Sequence, residues 1–175
     1  MKSNFELMAS YNQWMNKSLY EAASQLDAGE LEKDRGAFFR SITGTLNHIL
    51  VGDTIWLKRF ASHEAGFASL DCLRVIDTPI SLNVTLYSKL SALAEARTRM
   101  DEVIVQFASE LTGQAIATPL AYSNTKGQPF IKNFGYLLQH FFNHQTHHRG
   151  QVSTLLNQAG IDTGVTDLLL GIPNE

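Results

Sequence analysis

The sequence holds a single cysteine, Cys72, so no disulfide can form within the chain and folding needs no oxidising compartment. It has no basic excess: 14 Lys and Arg stand against 17 Asp and Glu, a formal charge of -3. Nucleic-acid binding calls for a basic face, and no Lys/Arg run supplies one. No apolar run approaches the roughly 20 residues of a membrane span. The start, Met1-Lys2-Ser3-Asn4-Phe5-Glu6, is interrupted by polar and acidic residues too early for a signal peptide. Neither a repeat at solenoid periods nor a low-complexity tract is present. These absences predict a cytoplasmic globular protein. With 44% apolar residues, its 175 residues suffice for one domain, 1–175, with a substantial core.

Apolar residues recur at helical spacing in four long segments. The first runs from about Asn4 to Asp27 on Phe5, Met8, Tyr11, Met15, Leu19, Ala22 and Leu26. Ser3 or Asn4 is its expected cap, and Gly29 stands just beyond its end. Residues 30–40 read as a charged, then aromatic, loop or short turn. The second helix spans about Ser41 to Ser62, with Ser41 as cap and Ile42, Leu46, Ile49, Asp53, Trp56 and Phe60 on its buried stripe. Gly44 and Gly52 each lower its helix propensity by up to about 1 kcal/mol, a cost consistent with close packing there. Residues 64–80 are too long for a tight hairpin and are expected to cross the bundle. The third helix follows, about Leu82 to Glu110.

Residues 115–131 contain two short extended runs around Ser123-Asn124-Thr125-Lys126-Gly127, which predicts a small β-hairpin. Pro119 and Pro129 keep both runs at edges. The fourth helix spans about Lys132 to Gln158, and a short turn is expected at Asp167–Leu170. The predicted fold is all-α: a four-helix bundle with a long crossover connection and a small hairpin before the last long helix.

Four of the six histidines lie between positions 140 and 148. On a helix, His144 and His148 lie one turn apart and can aim both rings at one point. At 100° per residue, His148 falls near the centre of the stripe set by Phe134, Leu138, Phe141 and Val152, and His144 on its edge. Two imidazoles inside a bundle must be satisfied by something. A third ligand should come from another helix. His48 lies on the flank of the second helix's stripe, and periodicity alone leaves its role open. His140 and His147 point further round, where they are expected to support a ligand histidine or to face solvent. His63 is expected at the surface of a helix end. Gln145 stands where a zinc-protease helix would need its glutamate, so that motif is absent. The Glu-xx-His pairs of di-iron bundles are absent too.

The run His144-Gln145-Thr146-His147-His148-Arg149-Gly150-Gln151-Val152 resembles the His-xxx-His-Arg-Gly signature of the DinB/YfiT-like metalloenzyme family. Leu46-Asn47-His48-Ile49, with Trp56 eight residues beyond His48, is similar to that family's second-helix segment, and Tyr11-Asn12-Gln13-Trp14 to its first-helix opening. The resemblance implies a four-helix bundle of uncommon connection order, a homodimer, and a divalent metal, zinc or nickel, on His48, His144 and His148. It also implies thiol-dependent transferase or isomerase activity with a low-molecular-weight bacterial thiol and a small-molecule substrate.

Three protein ligands would leave one coordination position open, and neutral imidazoles leave the metal's full charge to attract a thiolate. Two residues are candidate catalytic groups. Asp53 could orient a ligand histidine or pair with Arg149, and Arg149 could hold a substrate carboxylate. Trp14 and Trp56 read as core or pocket wall, and Cys72 as a bystander. Two further functions compete: a metal-dependent hydrolase using bound hydroxide, which lacks a clear general base unless Asp53 serves, and a non-catalytic metal-binding stress-response module.

Overall fold

Four apolar-striped helices with little strand have one economical solution, a bundle, and the computed structural model, which describes residues 1–174, has that architecture. The long helices are α1 (Lys2–Ala23), α3 (Ile42–Phe60), α4 (Leu90–Glu110) and α6 (Phe134–Gln158). Short helices α2 (Ala28–Glu32) and α5 (Gly113–Ala117) interrupt the connections. The hairpin is β1 (Pro119–Ser123) against β2 (Pro129–Asn133), antiparallel, with Pro119 opposite Asn133. Single 3-10 turns lie at Ala68–Leu73 and Leu168–Gly171. No helix among the described residues is long and apolar enough to cross a membrane.

Side-chain contacts fix the helix directions. Each of α1 and α3 packs on both α4 and α6, so α1 and α3 are diagonal. Lys2 Nζ donates to the Ser109 carbonyl and Asn16 to Asp101, so α1 and α4 are antiparallel. Phe5 stacks on Phe142, and Arg149 bonds Asn12, so α1 and α6 are parallel. Phe60 meets Phe107, and Asp53 meets Arg97, so α3 and α4 are parallel. The order is up-down-down-up.

Parallel neighbours cannot be joined by a tight turn, so the chain must return along the whole of α3 before α4 begins. That is the work of residues 61–89. Lys58 Nζ holds the Leu73 carbonyl, 2.9 Å away, near one end of α3. At the other end Asn47 Oδ1 accepts from the Leu86 and Tyr87 amides, and Asn47 Nδ2 donates to the Tyr87 carbonyl. Asn47 therefore satisfies backbone groups that a helix would otherwise pair. This explains why α4 begins at Leu90 and not at Leu82: a tertiary contact overrides the local period. Leu86, which a helix from Leu82 would have included, is 37% exposed.

Other boundaries also differ from the sequence reading. α1 starts at Lys2 without a side-chain cap, and it ends at Ala23 rather than Asp27. Asp27 instead caps α2, accepting from the Glu30 amide, so Gly29 lies inside a helix where a loop was expected. Residues 115–117 belong to α5, which Thr112 caps by accepting from the Ala115 amide. Ser41 caps α3 as expected, through the Gly44 amide. The centre of the core is aromatic: Phe60, Phe107, Phe134, Phe141 and Phe142 are fully buried, each stabilising the fold by about 1.5–3 kcal/mol.

Candidate metal centre

Because α3 and α6 run antiparallel, His48 on α3 faces the His144–His148 turn of α6. His48 Nε2 lies 3.1 Å from His144 Nε2 and 3.2 Å from His148 Nε2. His48 and His148 are 4% and 9% exposed, and His144 is partly buried. The second nitrogen of two rings is held by the protein. His48 Nδ1 donates to the Leu82 carbonyl at 2.8 Å, which leaves its Nε2 lone pair facing the other rings. His148 Nδ1 lies 2.8 Å from Gln151 Oε1, and the Gln151 amide in turn lies 3.2 Å from His147 Nε2. Phe39 covers one side, stacked on His48 at 3.7 Å between centroids and edge-on to His148 at 5.5 Å.

All three rings favour the neutral form. His144 is pushed down to about 3, chiefly by burial and then by the neighbouring imidazoles His148 and His48. Burial also lowers His48 and His148, against the hydrogen bonds to Leu82 and Gln151 that raise them. Three neutral nitrogens aimed at one another repel unless a cation lies between them. Their spacing is close to the edge of about 3.3 Å expected for a tetrahedron with bonds of 2.0–2.1 Å. The donor set therefore fits a divalent metal, and among the described residues no fourth His, Cys, Asp or Glu joins the group.

Two glycines make this approach possible. A Cβ on Gly52 would lie 2.7 Å from His144 Cε1, and one on Gly44 would lie 2.2 Å from the Phe39 carbonyl oxygen. The first contact gives a prediction. Gly52→Ala should displace the His144 ring and lower metal affinity at least about tenfold, a loss of the size seen when groups supporting a ligand are altered. The same change favours helix by up to about 1 kcal/mol, so the metal-free melting temperature should not drop sharply. Chelator competition and thermal melts measure the two separately, and unchanged affinity would contradict the packing.

Asp53 and Arg149 do not form the expected pair. Asp53 is fully buried, 2.5 Å from Arg97 Nη1, and Asp101 lies 2.9 Å from Arg97 Nη2. Burial raises Asp53 while Arg97 opposes it, and burial would depress Arg97 were it not raised by Asp101 and Asp53. The short contact and the two carboxylates around one guanidinium make the ionised state the one the geometry supports. Arg149, a 100° step beyond His148, turns toward α1, where it bonds Asn12 Oδ1; it also bonds Thr146 Oγ1 of its own helix and is 4% exposed. Burial lowers its pKa to about 10. It is neither a surface residue nor positioned to clamp a substrate carboxylate.

Gln145 is fully buried; its amide faces Asp53 and favours the charged carboxylate, without a hydrogen bond of normal geometry. His63 is 4% exposed, stacked on Phe134 at 4.4 Å, with Nδ1 accepting from the Ala65 amide. It is a core residue and not a surface one. Phe39, Leu82, Asn47 and Gln151 shape the centre without having carried a role in the sequence reading. Gly44 and Gly52 alone had a signal there, their helix-weakening positions.

A bundle in up-down-down-up order, with two histidines of its last helix meeting one of its second long helix, defines the class: a helical protein built around a buried three-histidine cluster able to hold a metal ion. The DinB family model matches residues 1–173, and the chain belongs to the DinB family. Protein DinB of Bacillus subtilis (strain 168) is 24% identical over 157 residues, covering 90% of this chain and 87% of that protein. No solved structure matches significantly.

Proposed function

We propose that His48, His144 and His148 hold one divalent metal, zinc or nickel, and that the centre serves a thiol-dependent transferase or isomerase acting on a small electrophile. The observation that carries this reading is three converging neutral nitrogens with no fourth protein ligand beside them among the described residues. A divalent ion with one open position makes a bound thiol acidic enough to be a thiolate near neutral pH. The chain's own part is orientation and shielding. The Leu82 carbonyl and Gln151 fix two rings, Gly52 admits the third, and Phe39 closes one side against water. The cytoplasmic location expected from the sequence and the homodimer implied by the family resemblance belong to the same proposal.

The hydrolase reading is weaker on this geometry. It needs a general base, and Asp53, its one candidate, is fully buried against Arg97. The deciding experiment incubates metal-loaded protein with a panel of bacterial thiols and soft electrophiles and follows loss of free thiol. Turnover is expected to require metal and to vanish in His144→Ala. Inertness toward every thiol, with ester cleavage by water instead, would transfer the assignment to the hydrolase.

A further inference from the structure

Antiparallel α3 and α6 set their facing residues in rungs: His48 with His148, Gly52 with His144, and Trp56 with His140. The histidine cluster occupies the first two. The third belongs to something else. The Trp56 and His140 rings lie 5.0 Å apart, and His140 lies 6.1 Å from His144. One turn along α3, the Arg59 guanidinium lies 4.6 Å from the Trp56 ring and 5.2 Å from the Tyr122 ring of β1. From β2, Lys132 reaches to 5.3 Å from the Phe130 ring.

Arg59 is singular in this chain. The other six arginines each have an ion pair or hydrogen bond: Arg35 with Glu30, Arg40 with Asp34, Arg74 with Asp71, Arg97 with Asp53, Arg99 with Glu95, and Arg149 with Asn12. Among the described residues Arg59 has neither, although it is partly buried. Burial lowers its pKa, and no carboxylate opposes the shift. Lys132 likewise has no ion pair among the described residues. Both cations border the same aromatic run, since the Phe130 ring beside Lys132 stacks on the Tyr122 ring beside Arg59 at 5.7 Å between centroids. A protein of net charge -3 has thus left two cations uncompensated around one aromatic wall, a turn from its histidine cluster. A half-desolvated guanidinium without a counter-charge is costly, and a carboxylate from a ligand relieves that cost.

We propose that Arg59, Lys132 and His140 form an anion subsite, walled by Trp56 and Tyr122, that holds the carboxylate of a flat organic ligand whose other end reaches the histidine cluster. The subsite stands on these residues alone, while the ligand's reach to the cluster rests on the metal–thiol reading above.

The test separates the two. In a Trp14→Phe background Trp56 is the sole tryptophan, and its fluorescence reports binding to metal-free protein. The probes are 4-nitrobenzoate and its neutral analogue 4-nitrobenzamide. At low salt the carboxylate should bind at least about tenfold more tightly. That preference should shrink to within about twofold in Arg59→Gln/Lys132→Gln and at 0.5 M salt, as screening of a partly exposed site requires. Equal affinities in the parent protein, or a preference that survives both changes, would overturn the subsite. A second arm adds 4-mercaptobenzoate or 4-mercaptobenzamide to nickel-loaded protein and reads the thiolate-to-nickel absorption band. A band favouring the carboxylate supports the full proposal. A carboxylate preference in the first arm with no band in the second upholds the subsite and removes the thiol reading.

Discussion

Arg97→Met is expected to destabilise the protein by about 3–5 kcal/mol at pH 7, a large share of the roughly 5–15 kcal/mol that holds a domain folded. Arg97 is 2% exposed and lies between the buried carboxylates Asp53 and Asp101. Asn12 and Asn16 of α1 donate to Asp101, and Tyr20 lies close enough to contribute to Arg97's charge. Removing the cation leaves two carboxylates facing each other in a low-dielectric core. They can relax only by taking up a proton, so their folded-state pKa values rise above the unfolded ones. An acid whose folded pKa is raised stabilises the fold below its unfolded pKa and loses that contribution as pH climbs. The deficit of Arg97→Met should therefore be greatest at pH 7 and smaller at pH 4.5. Urea denaturation at the two values measures it. Arg99→Gln, which breaks an exposed pair with Glu95, is the control and should change stability by about 0–1 kcal/mol. An Arg97→Met deficit that stayed the same at both pH values would mean that the network is not ionised as its geometry indicates.

This network is also what stands behind the histidines. Asp53 follows Gly52, and Gln145 follows His144, so the rung that seats the His144 ring on one side carries the buried carboxylate on the other. The ion pair locks α3 to α4, while Asn12 links α1 both to Asp101 on α4 and to Arg149 on α6. Loosening the pair would let the helices that carry the three rings shift. Asp53 contacts Arg97 and hydrogen-bonds no histidine among the described residues, which differs from the direct orienting role considered for it on sequence grounds.

The parts legible in the sequence were those set by local period. The stripe of α6 placed His144 and His148 one turn apart and inward, and the stripe of α3 placed Asp53 inward and left His48 on a flank. What period cannot give is the register between helices. Arg97 carried no signal because its meeting with Asp53 depends on how far residues 61–89 run back along α3. Arg149 looked like a substrate clamp because it follows His148, but the step of 100° turns it to α1. His63 reads as a polar helix end, and only the tertiary structure supplies Phe134 to bury it. Phe39 follows the same logic, since nothing local announces that a loop residue before Ser41 will stack on His48. Gly44, whose absent side chain admits the Phe39 carbonyl, was the faint trace of it.

Substitution at the histidines should give the largest functional change. His144→Ala and His148→Ala are each expected to lower metal affinity by more than about 100-fold, beyond the 10–100-fold typical of altering a group that merely supports a ligand. His63→Ala supplies the contrast: it removes a buried ring stacked on Phe134, so stability should fall while bound metal stays the same. Protein purified without a nickel column, analysed for metal and titrated against a chelator, reports both. Acidity sharpens the test. Three ordinary histidines of pKa near 6.5 would together lose on the order of 600-fold in affinity between pH 7 and pH 5.5, about eightfold from each ring. Here burial lowers all three rings, His144 to about 3, so protonation competes with the metal less than it would at ordinary histidines as the pH falls. The loss over that interval should be far smaller than several hundredfold. A drop of the full size, or equal metal content in the His144, His148 and His63 variants, would mean that the three rings do not share one ion.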